Sequence, residues 1–238
     1  MTATSSKRPG AFFGRRKGHP LRQRQAQFID TLLPRLALDL DTPASATLTN
    51  LFPVADAVRL EIGFGGGEHL IAEAEAHPGT GFIGCEPFLN GMAKALAAID
   101  ARGLRNIRLH YGDATDLLAW LPPAALSRVD LLYPDPWPKR RHWKRRFVQE
   151  KSIVEIARVL APAGAFRFAT DWADYAAWTL ERLLRSPHFR WTATRADDWR
   201  LPWPGLSSTR YEAKARREGR SSCYFIFQKV AAKLPGAK

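Results

Sequence analysis

Two cysteines among 238 residues are too few for a disulfide framework. Cys85 and Cys223 lie in apolar, strand-like runs without metal-type spacing, so they read as reduced core residues. The six histidines show no zinc pattern either, and no metal is expected. No apolar run approaches the ~20 residues that a membrane span needs. The basic amino terminus lacks the apolar stretch of a secretion signal, so the expectation is a cytoplasmic protein with no membrane partner. Acidic residues are also scarce: 23 Asp and Glu against 36 Lys and Arg leave a formal net charge of +13. That imbalance points to a polyanionic partner, nucleic acid ahead of a membrane surface.

What is present is enough for a sizeable core, with 45% hydrophobic residues. Residues 1–24 are rich in Lys, Arg, Gly and Ser with little periodicity, which predicts a mobile basic N-terminal arm ahead of a single domain spanning 25–238. From about Ala57, short apolar runs alternate with amphipathic stretches. Strands are predicted at Val58–Ile62, Gly81–Cys85, Ile107–Tyr111, Val129–Tyr133, Ala165–Ala169, Phe189–Thr194 and Cys223–Val230. Helical patterns fall between them, through Leu70 to His77, Met92–Arg102, Phe147–Leu160 and Tyr175–Leu184. The alternation predicts an α/β fold with a doubly wound, mostly parallel, seven-stranded sheet. Asp197–Arg220 is a long polar connection punctuated by Pro and Gly, of the kind that often carries function.

The first strand runs into Gly63-Phe64-Gly65-Gly66-Gly67 and then a helix. Glycine at Gly63, Gly65 and Gly67 permits positive φ and close approach of a ligand to the backbone. The spacing is G-x-G-x-G rather than the G-x-G-x-x-G of dinucleotide binding, and Glu61 just before it suits a cationic ligand better than a diphosphate. Acids also end the next two strands. Glu86 is placed to accept hydrogen bonds from ribose hydroxyls, and Asp113 from an adenine amino group, although a strand-end acid is also a common helix cap.

Asp135 closes the series inside Tyr133-Pro134-Asp135-Pro136-Trp137-Pro138. Flanking prolines stop both strand and helix, so this carboxylate projects from a stiff loop at a strand end, where open α/β sheets bind ligands. A dense cationic run follows, in which Lys139, Arg140, Arg141, Lys144, Arg145 and Arg146 are candidates to hold backbone phosphates or to form a solvated face. Trp137 either stacks on a base or packs in the core. Asp171 ends a further strand as a cap or a substrate contact, and Arg210 to Arg220 forms another basic stretch.

Together, E-I-G-F-G-x-G, G-C-E-P, G-D-A, P-D-P-W-P-K-R-R-H, Thr170-Asp171 and Thr209-Arg210-Tyr211-Glu212 resemble the bacterial tRNA (guanine-N7-)-methyltransferase family, from about Leu60 to the carboxyl terminus. The resemblance implies a class I, Rossmann-like methyltransferase fold and S-adenosylmethionine (SAM) bound at Glu61, Glu86, Asp113 and Asp135. It implies tRNA contact at Lys139, Asp171, Thr209, Arg210, Tyr211 and Glu212, and methylation in the tRNA variable loop. Tyr133 stands where phenylalanine is commoner in the family, Trp143 where histidine is usual, and Lys214 where arginine is frequent.

The chemistry fits those residue types. Guanine N7 has an in-plane lone pair and no proton, so its methylation needs placement rather than a general base. Positive charge passes to the purine, and a fixed carboxylate, for which Asp135 is the catalytic candidate, stabilises it. Other classes remain open: a noncatalytic RNA-binding protein on a methyltransferase fold, an amino-methylating DNA enzyme and, ranked low, an NAD-linked oxidoreductase. Monomer and homodimer are both compatible with the sequence.

Overall fold

A computed structural model of the chain describes residue 14, residues 16–206 and residues 210–231. Most of the expected arm, and Thr209, therefore lie outside the described residues, as do the side chains of Arg210 and Tyr211. Regular structure starts with helices α1 (Gln23–Thr31) and α2 (Leu33–Leu36), so α1 begins inside the stretch expected as an arm. Phe28, Ile29 and Leu32 supply the apolar contacts that dock it.

Alternation then follows as β1 (Ala57–Ile62), α3 (Glu68–Ala76), β2 (Thr80–Cys85), α4 (Leu89–Arg102), β3 (Ile107–His110), α5 (Ala114–Trp120) and β4 (Leu126–Leu132). After a 3₁₀ helix at Arg140–Arg145 come α6 (Glu150–Val159), β5 (Leu160–Thr170), α7 (Ala173–Arg185), β6 (Phe189–Trp191), α8 (Asp197–Arg200), α9 (Arg210–Arg217) and β7 (Cys223–Lys229). Helix faces follow from spacing: α7 buries Tyr175, Ala176, Thr179 and Leu183, three to four residues apart on one side. Gly103, at φ +63°, ends α4 in the left-handed conformation that stops helices.

The described residues form one seven-stranded sheet in the order β3-β2-β1-β4-β5-β7-β6. β1 to β5 pair in parallel, and β7 runs antiparallel between β5 and β6. This is the mostly parallel, doubly wound, seven-stranded sheet that the sequence predicts. One large apolar cluster joins Leu60, Val129, Phe166 and Phe225 to helix residues such as Leu117, Ile156 and Tyr175. A second joins Phe82 and Leu109 to Leu70, Met92 and Leu96.

Side-chain alternation along β1 sends Leu60 and Ile62 into the first cluster and Glu61 the other way. In register, Glu61 pairs with Asp130, and Asp130 with Arg167, across three strands. α3 covers this polar row with His69 and Glu73, and Arg128 donates to both Asp130, at 2.8 Å, and Glu73. The consequence for function is that the strand order reverses between β1 and β4, leaving a crevice at their carboxyl ends.

Candidate functional site

A cleft of ≈1130 Å³ opens at that switch point. Its wall includes Gly63 and Gly65 after β1, Glu86 after β2, Asp113 after β3, and Tyr133, Asp135 and Trp137 after β4. Three expected acids, Glu86, Asp113 and Asp135, thus converge from successive strand ends.

The glycine turn is fixed from two directions. Gly63, Gly65 and Gly67 all have positive φ (71°, 58° and 83°), which side chains resist. A Cβ on Gly91 of α4 would fall 2.2 Å from Gly65 O, so α4 reaches the turn because it carries no side chain there. Glu86 completes the brace. Its Oε2 accepts from Gly65 N at 2.6 Å and its Oε1 from Phe88 N at 2.8 Å. Asp113 is the N-cap of α5, accepting from Thr115 N at 2.8 Å, so the capping role and a place on the cleft wall coincide.

Glu61 is placed differently from the other three acids. It is 5% exposed, stands outside the cleft wall, and its Oε2 has no hydrogen-bond partner among the described residues. Strand alternation put it there, on the α3 side. Burial pushes its carboxyl up to about 7, against a partial offset from His69. Gly67 is likewise off the wall, at the N-cap of α3 with Ala95 against it.

Asp135 is held by backbone shape. Tyr133 and Trp137 flank it with φ of +50° and +45°, rare for side chains of that size and costing ~1–3 kcal/mol each. Such strain persists only where the surroundings enforce it. Arg146 Nε donates to Pro136 O at 2.8 Å, and Tyr133 N donates to Ala169 O at 2.7 Å. Asp135 is exposed on the cleft wall, yet desolvation by the surrounding walls pushes its pKa up.

The basic run divides. Lys139, Arg140, Arg141 and Lys144 are exposed, and Arg145 lies 4.9 Å over the Trp137 ring. Trp137 itself lines the cleft rather than the core. Arg146 corrects the expectation of a phosphate contact, because it is 2% exposed and its guanidinium is caged by Trp143, Tyr175 and Trp178 at 4.8 to 5.1 Å. It anchors the loop. The six cations of the run look alike in sequence, and only the aromatic rings, two of them on α7, distinguish this one.

Asp171 is neither cap nor cleft wall: its Oδ2 accepts from Arg220 Nε at 2.8 Å and Nη2 at 2.7 Å. Glu212 on α9 is 3% exposed and accepts from Tyr224 Oη at 3.2 Å. The cleft also recruits Phe88, Gln149, Ser152 and Arg158, which sequence reasoning missed. α5 was legible in principle, since Asp113 followed by an apolar run is a helix-start signal. Among the described residues no cluster of His, Cys, Asp or Glu is suited to a metal ion, and no helix is long and apolar enough to cross a membrane.

Comparison with known proteins agrees with this geometry. A family model described as "Putative methyltransferase" matches residues 55–224. A tRNA (guanine-N(7)-)-methyltransferase of Rhodopseudomonas palustris strain BisA53 is 62% identical over 97% of this chain and 93% of its own length. The protein of that name from strain BisB18 is 66% identical over 93% of this chain and 89% of its own. Among solved structures, the 16S rRNA methyltransferase KamB superposes with a TM-score of 0.55 over 80% of this chain and 96% of its own, at 17% identity, a likeness of fold alone.

Proposed function

The chain belongs to the tRNA (guanine-N7-)-methyltransferase family, and we propose that it binds SAM in the β1/β4 cleft and methylates a guanine of the tRNA variable loop at N7. The convergence of Glu86, Asp113 and Asp135 around a glycine turn is the observation that carries the reading. The donor set fits a nucleoside: Glu86 has carboxylate oxygens for ribose hydroxyls, Asp113 stands where an adenine amino group can donate, and Gly63 and Gly65 admit close backbone approach. Gly63 and Gly65 form that turn, with Gly67 at its helix end. When bound, SAM supplies an electrophilic methyl group on a sulfonium sulfur.

Asp135 holds negative charge where the purine becomes cationic, and orients the base by accepting from its Watson–Crick edge. It needs to remove no proton, because N7 carries none. Its flanking prolines and the Arg146 anchor keep it in place, so little reorganisation accompanies transfer. Lys139, Arg140, Arg141, Lys144 and Arg145 hold backbone phosphates beside the cleft, and Trp137 offers a ring for base stacking. Asp171, Thr209, Arg210 and Tyr211 are carried over from the family as tRNA contacts, while Glu212 is buried behind them on Tyr224. Glu61, buried just ahead of the glycine turn, is the fourth acid of the SAM site. The protein works in the cytoplasm, as a monomer or homodimer.

The test is mass spectrometry of nucleosides from unmodified tRNA incubated with the purified protein and SAM carrying a deuterated methyl group. Labelled 7-methylguanosine at a variable-loop position is expected. Label confined to an exocyclic amine, or to no nucleoside, would refute the reading.

A further inference from the structure

Beneath the Asp135 loop runs a chain of hydroxyl groups that the reaction described above does not use. Tyr133 Oη donates to Ser222 Oγ at 3.2 Å and lies 3.5 Å from Tyr224 Oη. Tyr224 Oη donates in turn to Glu212 Oε1 at 3.2 Å. Glu212 belongs to α9, whose sequence otherwise carries Arg210, Lys214, Arg216 and Arg217. An acid in so cationic a helix has solvent readily available, yet it is 3% exposed, and burial of a carboxylate is costly unless hydrogen bonds compensate. The same segment is fixed at its far end, where Arg220 grips Asp171 at the tip of β5.

The packing follows the same line. A small apolar cluster of Leu132, Ala169, Trp203 and Tyr224, with Tyr133 against it, sits at the carboxyl ends of β4 and β5 and apart from the two main cores. Trp203 meets Tyr224 edge-on at 5.9 Å. Tyr133 is the first residue after β4 and, through one proline, the neighbour of Asp135. With φ at +50° its position is set from outside rather than by local preference. A phenylalanine would fill the ring volume and drop the link to Ser222 and Tyr224.

We propose that Tyr133 and Tyr224 are positioning residues that, through Glu212, fix the distance between the Asp135 loop and the basic helix α9, so that a tRNA held by α9 presents its guanine to Asp135. The inference rests on the function proposed above and adds a mechanical tie between its two parts. Pro134 restricts the chain between Tyr133 and Asp135, so a shift at the ring reaches the carboxylate with little slack. Misplacement by ~1 Å costs up to about a hundredfold in rate, and partial loosening costs less.

The variants are Tyr133→Phe, Tyr224→Phe and the pair together, compared with wild type in full-length protein. At saturating SAM and tRNA, each single variant is expected to lower the single-turnover methyl-transfer rate about three- to tenfold, with SAM affinity within about twofold. The double variant should be no slower than the slower single one, because both substitutions cut one chain. Amide hydrogen exchange without ligands gives a readout independent of activity: Tyr133→Phe should speed exchange across residues 210–220 and leave α4 unchanged. Rates within twofold of wild type in both single variants, losses that multiply in the double, or unaltered exchange at 210–220 would each overturn the proposal. A wild-type protein that makes no 7-methylguanosine would instead defeat the proposed function, while the exchange experiment still decides whether the tie exists.

Discussion

Glu86 and Asp113, on the β2–β3 side of the cleft, are fixed by backbone amides at 2.6 to 2.8 Å, whereas Asp135, on the β4 side, has no hydrogen bond among the described residues. Its position comes from prolines, two left-handed residues and the caged Arg146. The difference matters because hydrogen bonds satisfy a carboxylate and reduce what it gains from a new partner. Asp135 is held by its backbone while its charge stays uncompensated and its pKa is raised by desolvation, which suits a group meant to meet a developing cation. One side is built to hold and the other to act.

Removal of Asp135 should produce the largest effect. Asp135→Ala is expected to reduce the single-turnover rate about a hundredfold or more, with Asp135→Asn nearly as damaging, and tRNA affinity within about threefold. A rapid-quench time course with saturating ligands measures it. A rate near wild type would place the acting group elsewhere.

Next comes the anchor. Arg146→Ala removes a caged guanidinium and the bond to Pro136 O, and should lower stability by about 2–4 kcal/mol in urea unfolding. Arg146→Lys should recover less than half, since an ammonium cannot reproduce planar stacking among three rings. Full recovery by lysine would mean that only the charge matters.

On the holding side the effect is smaller. Loss of a hydrogen bond to a charged group costs ~1.5–3 kcal/mol, so Glu86→Ala should weaken SAM binding about tenfold or more in calorimetric titration. An unchanged dissociation constant would reduce Glu86 to a brace for the turn.

Beneath the cleft the effect falls on the pH dependence of stability. With its folded pKa raised to about 7 from 4.5, Glu61 binds a proton more readily folded than unfolded. Stability therefore falls as pH rises through that window, and the loss is complete above about 7. Glu61→Gln should flatten this decline between pH 5 and 7.5 in denaturant midpoints. Parallel curves for the two proteins would show that Glu61 stays ionised.

How much of this was legible follows the same divide. The sheet, the glycine turn and three strand-end acids rest on period-two runs and short-range residue chemistry, which a sequence displays directly. Glu61 shows the limit even there: it belongs to the motif, yet the burial that raises its pKa comes with the packing of α3, which no local pattern displays. On the other side the decisive contacts join residues apart in the chain, Arg146 to Tyr175 and Trp178, Asp171 to Arg220, Tyr133 to Tyr224, and Tyr224 to Glu212. No local pattern separates the buried Arg146 from its exposed neighbours, or the buried Glu212 from a solvated loop. α9 was hidden for another reason, since Pro202, Pro204 and Gly205 mark a loop just before a run of good helix formers.

The division between holding and acting is tested most directly by measuring two quantities, the SAM dissociation constant and the single-turnover methyl-transfer rate at saturating SAM and tRNA, on Glu86→Ala and Asp135→Ala side by side. The predicted result is a crossed pattern, in which Glu86→Ala moves the dissociation constant and leaves the saturated rate within about threefold, while Asp135→Ala lowers the rate at least tenfold more than it raises the dissociation constant. If both variants shift the same quantity by similar factors, the two sides of the cleft do not divide the work, and the account is contradicted.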